Sequence, residues 1–115
     1  MLVAFSVDRD SENSRIDARF GRCPFFALID EPGGKIEYVA NPAAGAAVGA
    51  GTGAAQMLVD QGVMAVVTGQ VGPKALEILT AMQISIFLVP PECDFATALQ
   101  LYREGRLRQY TIQTF

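Results

Sequence analysis

Leu2 to Val7 is an apolar run with β-branched and aromatic members, and it stops at the charged stretch DRDSENSR; this pattern predicts a buried strand. Phe25 to Ile29 and Lys35 to Ala40 flank DEPGGK, whose Pro32-Gly33-Gly34 predicts a tight turn and hence a hairpin. Asn41 to Thr52 then runs without charge, made mostly of Gly and Ala, and a helix is predicted from about Gly53 to Gln61 with Gly62 at its C′ position. Val63 to Thr68 reads as another buried strand. After GQVGPK, Pro73 suits a first helical position, and Ala75, Leu76, Leu79 and Met82 recur at helical spacing to form one apolar face. Ile84 to Val89 predicts a strand stopped by Pro90-Pro91. Asp94 can cap a third helix whose Phe95, Ala98, Leu99 and Tyr102 face inward and which ends at Gly105. The tail RLRQYTIQTF fits an edge strand and a loose end equally well.

The order is β-β-β-α-β-α-β-α, an α/β domain with a mixed, five-stranded sheet over residues 1–115. The last two βα units should cross over right-handedly into parallel pairs, and a meander makes the second strand antiparallel to the first. One edge of the sheet then gathers residues 8–24, 41–52, 69–72 and 90–93. That carboxyl edge is where open α/β sheets usually hold ligands.

Composition narrows the chemistry. The chain has 115 residues, half of them hydrophobic and 18% charged, which suits one folded domain. A formal net charge of −3 argues against duplex nucleic acid or an anionic membrane as partner. No uncharged apolar run is long enough to span a bilayer, and MLVAFSVD lacks the basic flank and cleavage pattern of a signal peptide. Two cysteines without a CxxC pair form no disulfide framework, so a cytoplasmic location is expected. There is no histidine, which removes Ser-His-Asp and Cys-His activation and the commonest nitrogen ligand for zinc, copper or iron.

Several short segments carry candidate chemistry. Gly49, Gly51 and Ala54 match G-x-G-x-x-G/A, but eight residues separate Gly49 from Ala40 and no acid follows the next strand, so a dinucleotide reading is rejected. The residues that remain, Gly45 to Gly53 with Thr52, can turn backbone N–H groups outward ahead of a helix and attract an anion; a mobile solvent loop is the plainer alternative. TGQVGPK places Thr68, Gly69 and Gly72 in a strand-to-helix turn beside it, with Lys74 in the first helical turn, although a short βα connection would need the same glycines. In DARFGRCPFF, Arg19 and Arg22 flank Phe20-Gly21 and precede Cys23, which reads as a soft metal ligand, a reactive thiol, or a small buried hydrophobe. Cys93 reads as core filler or a neighbour of a helix cap. Asp8, Asp10, Glu12 and Asp17 share one stretch with Arg9, Arg15 and Arg19, which favours a solvated charged loop over a two-metal nuclease site.

The segments DARFGRCPFF, NPAA before a Gly/Ala loop, AAQML, VVTGQVGPKALEIL and ALQLYREGRL together resemble the dinitrogenase iron–molybdenum cofactor biosynthesis family over nearly the whole chain. T-G-x-x-G-P-x-A, residues 68–75, is the most specific part. The resemblance implies a ribonuclease H-like three-layer fold with helices on both faces, and a small accessory or carrier domain rather than an enzyme. It also carries site roles onto Phe20, Gly21, Arg22, Cys23, Asn41, the glycine loop, Thr68 and Gly69. Arg19 stands where many relatives have His, Gly and Ala replace His-Gly repeats in the loop, and Gln83 occupies a position usually held by a helix-ending glycine. Imidazole ligation is therefore impossible, which leaves a Cys23 thiolate or capture of an anion by backbone N–H groups and arginines. The expected cargo is a molybdenum- or iron-containing sulfide anion or its precursor, with a cofactor-assembly protein as partner. The competing expectation is an interaction module that docks on a metalloenzyme or scaffold and carries no cofactor.

Overall fold

The structure, a computed structural model, describes residues 1–90 and 92–110. In chain order it contains β1 (Leu2–Val7), β2 (Phe25–Asp30), β3 (Ile36–Ala40), α1 (Ala50–Asp60), β4 (Val63–Thr68), α2 (Pro73–Ala81), β5 (Ser85–Leu88), α3 (Phe95–Arg103) and β6 (Arg108–Tyr110). The sheet order is β3-β2-β1-β4-β5-β6. β2 runs against β1 with Phe5 opposite Ala27, and β4 runs with β1 with Phe5 opposite Val67. β3 is antiparallel to β2, and β5 is parallel to β4.

The sheet has six strands, not five. β6 pairs antiparallel with β5, Leu88 opposite Arg108. Its three residues are all exposed and join the sheet through their backbone, so no hydrophobic alternation announces them. The rest of the ambiguous tail, residues 111–115, and Pro91 of the predicted strand stop lie outside the described residues.

Alternation along the central strands feeds two cores, one on each face of the sheet. Ala4, Phe26, Leu28 and Val66 pack beneath Ala54, Ala55 and Leu58 of α1 and Ala75 and Leu79 of α2. Val3, Phe5, Val7, Ala65 and Val67 face the other way, toward Phe95 and Ala98 of α3. Phe5 and Phe95 meet edge to face, with ring centroids 5.3 Å apart. Helices thus cover both faces. Among the described residues no helix is long and apolar enough to cross a membrane.

Helix ends follow the sequence closely. Asp94 Oδ1 accepts the Thr97 N–H at 2.6 Å, Pro73 opens α2, and Gly62 and Gly105 adopt φ of 82° and 68° after α1 and α3. Met82 departs from expectation: it is the C-cap of α2 and 53% exposed, so it leaves the apolar face that Ala75 and Leu79 bury. The next residue, Gln83, takes φ 59° in the left-handed region and donates its N–H to Thr80 O at 3.0 Å. A side chain there costs about 1 kcal/mol relative to glycine. Gln83→Gly is therefore expected to raise the melting temperature by about 4 °C in a calorimetric scan.

At the amino edge, Arg103 Nε and Nη2 donate to Glu31 Oε1 and Oε2 at 2.7 and 3.2 Å, joining α3 to the β2–β3 turn. The hydrogen bond from Arg103 holds the Glu31 carboxyl below its ordinary pKa. A carboxylate lowered in the folded state contributes stability above its unfolded pKa and loses it as pH falls through the folded value. Glu31→Gln should thus cost up to about 1 kcal/mol at neutral pH, since Arg103 is partly exposed, with the difference from wild type vanishing in melts as pH falls through the lowered folded value.

Candidate functional site: a cleft between two helix N-termini

A cleft of about 510 Å³ opens at the carboxyl edge of the sheet, between the 19–22 turn and the first turns of α1 and α2. It forms because three backbone segments approach too closely for ordinary side chains. A Cβ on Gly21 would lie 2.5 Å from Gly51 N and 2.6 Å from Gly51 Cα, and one on Gly69 would lie 2.8 Å from Ala18 Cα. A Cβ on Gly53 would come within 2.9 Å of Ala43 Cβ. Gly49 alone of the loop glycines has positive φ, 79°, where it caps α1. The predicted loop is therefore shorter than expected: α1 starts at Ala50, three residues before the predicted Gly53, and Gly51, Thr52 and Gly53 form its first turn. Low helix propensity concealed this start, and tight packing overrides that propensity.

Both helix starts present donors that no N-cap side chain satisfies. Neither N-cap, Gly49 or Gly72, makes a side-chain capping bond, and neither first turn contains an acid. The first amides to find helical acceptors are Gly53, bonded to Gly49 O, and Leu76, bonded to Gly72 O, both at 2.9 Å. The preceding N–H groups of Ala50, Gly51, Thr52, Lys74 and Ala75 sit at the positive ends of two helix dipoles that share one cleft.

The cationic side chains differ in what holds them. Arg19 forms a two-point pair with Asp17, Nε to Oδ1 at 3.2 Å and Nη2 to Oδ2 at 3.1 Å, which offsets its charge. Arg22 Nη1 donates to the carbonyls of Ala44 and Ala46 and so ties the Gly/Ala loop to the cleft wall. Lys74 lines the cleft and forms no ion pair among the described residues. No acid lines the cleft among the described residues.

The structure thus brings together Arg19, Phe20, Gly21, Arg22, Gly49, Gly51, Thr52 and Gly72 of the residues expected at the site. Phe20 N–H donates to Gln70 O at 3.3 Å, joining the arginine turn to the 69–72 turn. Lys74, Gln70 and Ala50 also line the cleft; the first was visible as a cation in a first helical turn, whereas Gln70 carries no sequence signal.

Other expected site residues serve the frame. Asn41 is buried; its Nδ2 donates to Gly21 O at 3.1 Å and Cys23 O at 2.9 Å, and its Oδ1 accepts the Ala43 N–H at 3.0 Å. Thr68 is buried and its hydroxyl accepts from Ser6 Oγ at 2.7 Å. Gly69 admits Ala18, Gly53 admits Ala43, and Gly45 stands apart in the exposed loop. Among the described residues no group of three or more His, Cys, Asp or Glu is placed to hold a metal ion.

Cys23 corrects the expectation of a thiolate at the site. It has 0% exposure in the core beneath α1 and α2, and its Sγ donates to Phe20 O at 3.3 Å. Burial pushes its thiol up to about 12, with the Asp17 charge adding to the shift. A nearby cation can lower a thiol's pKa, but Arg19 is paired with the same Asp17. In this geometry Cys23 offers the cleft no ligand. Cys93 packs with the core on the opposite face of the sheet, and both cysteines are free.

Comparison with known proteins gives these observations a lineage. The apo form of the orange protein from Desulfovibrio gigas superposes with a TM-score of 0.89 at 30% identity, over 96% of this chain and 92% of that one. A NifB-like protein from Thermotoga gives 0.84 at 29% identity, over 99% and 97% of the two chains. An uncharacterized protein of Methanocaldococcus jannaschii is 27% identical over 113 residues, 96% of this chain and 92% of its own length. The model of the dinitrogenase iron-molybdenum cofactor family matches residues 1–105, and this chain belongs to that family.

Proposed function

We propose that this protein is a small cytoplasmic accessory protein, not an enzyme, that binds an anionic metal–sulfur species, a molybdenum- or iron-containing sulfide cofactor or its precursor, and passes it to a cofactor-assembly partner. The observation that carries this reading is the meeting of two uncapped helix N-termini, with Lys74 and Arg22, at one cleft that no acid lines among the described residues. Directed N–H donors and flanking cations attract an anion without a covalent bond to protein. Holding cargo this way suits a carrier, because release breaks no metal–thiolate bond. Membership of the dinitrogenase iron-molybdenum cofactor family supports a metal-containing cargo over a phosphate. The strand order, with β2 reversed beside β1, supports a ribonuclease H-like topology to which β6 is an added edge strand.

Anaerobic titration of the purified chain with tetrathiomolybdate, followed by visible absorption, tests the reading. Saturable binding with a shifted absorption band is expected. Titration that leaves the spectrum of the free anion unchanged overturns it.

A second reading, an interaction module without cargo, draws on Val48, which is 85% exposed in the loop beside the cleft. Exchange of Val48 for Ser separates the two: under this reading it abolishes capture of a partner, while neither wild type nor variant takes up tetrathiomolybdate.

A further inference from the structure

A larger cavity, about 710 Å³, lies away from the anion cleft and shares no lining residue with it. It follows from the layer arithmetic of the fold. One nine-residue helix, α3, covers a face of a six-stranded sheet, and past Arg103 the chain turns away at Gly105 with φ 68°. Phe87 on β5 is left only half-buried, and Met1, Tyr102 and Leu107 close over it opposite the Pro32-Gly33 turn.

The lining has a definite chemistry. Phe87 and Tyr102 meet edge to face at 5.4 Å, and Tyr102 meets Phe5 at 6.1 Å, so one wall is a fixed aromatic array. Glu31, Arg103 and the Met1 ammonium are the charged groups of the lining among the described residues; Glu31 and Arg103 satisfy each other through two hydrogen bonds, and the ammonium donates to Asp30 Oδ1 and Glu31 O, each at 2.9 Å. Glu31 also accepts the Gly33 N–H at 2.8 Å, which fixes the turn that forms the opposite wall. Among the described residues a charged guest would find no counter-charge that is not already paired. The Tyr102 hydroxyl, in contrast, has no hydrogen-bond partner among the described residues.

The geometry points to a second binding site here, for a neutral aromatic molecule of one or two rings that carries a single hydrogen-bonding group. The volume falls within the range of small-molecule sites, which are mostly apolar with a few placed polar groups. A ring can extend the edge-to-face array of Phe87 and Tyr102, and its polar substituent would meet the unused hydroxyl. An ionised ligand would pay desolvation against a wall whose charges, among the described residues, are already paired. This site stands independently of the metal–sulfur reading.

The test is titration of the full chain with 1-naphthol, followed by 1H–15N NMR. Saturable shifts are expected at Gly33, Gly105 and Leu107 and none at Gly51 or Lys74. Leu107→Trp, which fills the cavity, should weaken binding at least tenfold. Tyr102→Phe keeps every ring carbon and should weaken 1-naphthol about fivefold while leaving naphthalene unchanged. If Leu107→Trp does not fold, the Tyr102→Phe comparison decides. Failure to saturate at millimolar 1-naphthol, shifts centred on the anion cleft, or equal affinity of wild type and Tyr102→Phe for 1-naphthol would each overturn the assignment.

Discussion

Gly21→Ala is expected to lower the melting temperature by about 12 °C and to abolish anion uptake in the same stroke. The added methyl would lie 2.5 Å from Gly51 N and 2.9 Å from Ala50 C, both backbone atoms of the first turn of α1. Backbone cannot swing aside as the end of a flexible side chain can, so the helix start or the 19–22 turn must shift. Overpacking of this kind costs about 3 kcal/mol, and a chain of this size loses roughly 4 °C per kcal/mol. The same shift moves the donors of Ala50 and Gly51 out of line with those of Lys74 and Ala75. Gly45→Ala is the matched control: its Cβ would meet nothing within 4 Å, and Gly45 does not have positive φ. That change should leave stability equal or slightly higher, by up to about 0.5 kcal/mol, through a less flexible unfolded chain. Thermal melts of the two variants separate packing from flexibility as the reason for the glycines. Equal melting temperatures for both would dismiss the close-approach account.

That contrast also shows what the chain discloses in its sequence and what it keeps back. Strands β1, β2 and β4 were legible because they are buried on both faces or nearly so and read as continuous apolar runs. Caps were legible because Asp94, Pro73, Gly62 and Gly105 each have one strong backbone role. The convergence of the 19–22 turn with the two helix starts was also foreseeable, since strand direction alone sends those turns to one edge. Three features were not. β6 has no buried residue and depends on backbone pairing. The true start of α1 hides in glycines that local propensity assigns to a loop, because their reason is a contact with Gly21 and Ala43 far off in sequence. The states of Arg19 and Cys23 depend on the fold: Asp17 pairs with the first, and burial, with the Asp17 charge adding to it, raises the pKa of the second. A list of residue types near one another in sequence does not reveal which charges are already matched.

Lys74→Glu is expected to weaken tetrathiomolybdate binding about 30-fold, whereas Cys23→Ala should leave it within about twofold. Lys74 stands in the first turn of α2, on the cleft, without an ion pair among the described residues. Reversing that charge replaces attraction of a dianion by repulsion and puts an acid at a helix start; after screening by salt this amounts to roughly 2 kcal/mol. The loss should shrink as ionic strength rises. Cys23 is the opposite case. Its thiol is buried, pushed up to about 12 and hydrogen-bonded to Phe20 O, so it remains protonated at any pH where the protein is assayed. Removing the sulfur leaves a small void in the core beneath α1 and α2 and costs about 1 kcal/mol of stability, which a melt reads separately from binding. Iodoacetamide supplies an independent check: Cys23 should stay unmodified in the folded chain at pH 8 and react once the chain is unfolded. If Cys23→Ala instead abolishes uptake while the fold survives, the cargo is held by a thiolate that becomes exposed on binding. Capture by helix termini, Lys74 and Arg22 would then be the wrong account of this cleft, because a mode built on N–H donors and flanking cations has no use for a sulfur sealed beneath α1 and α2.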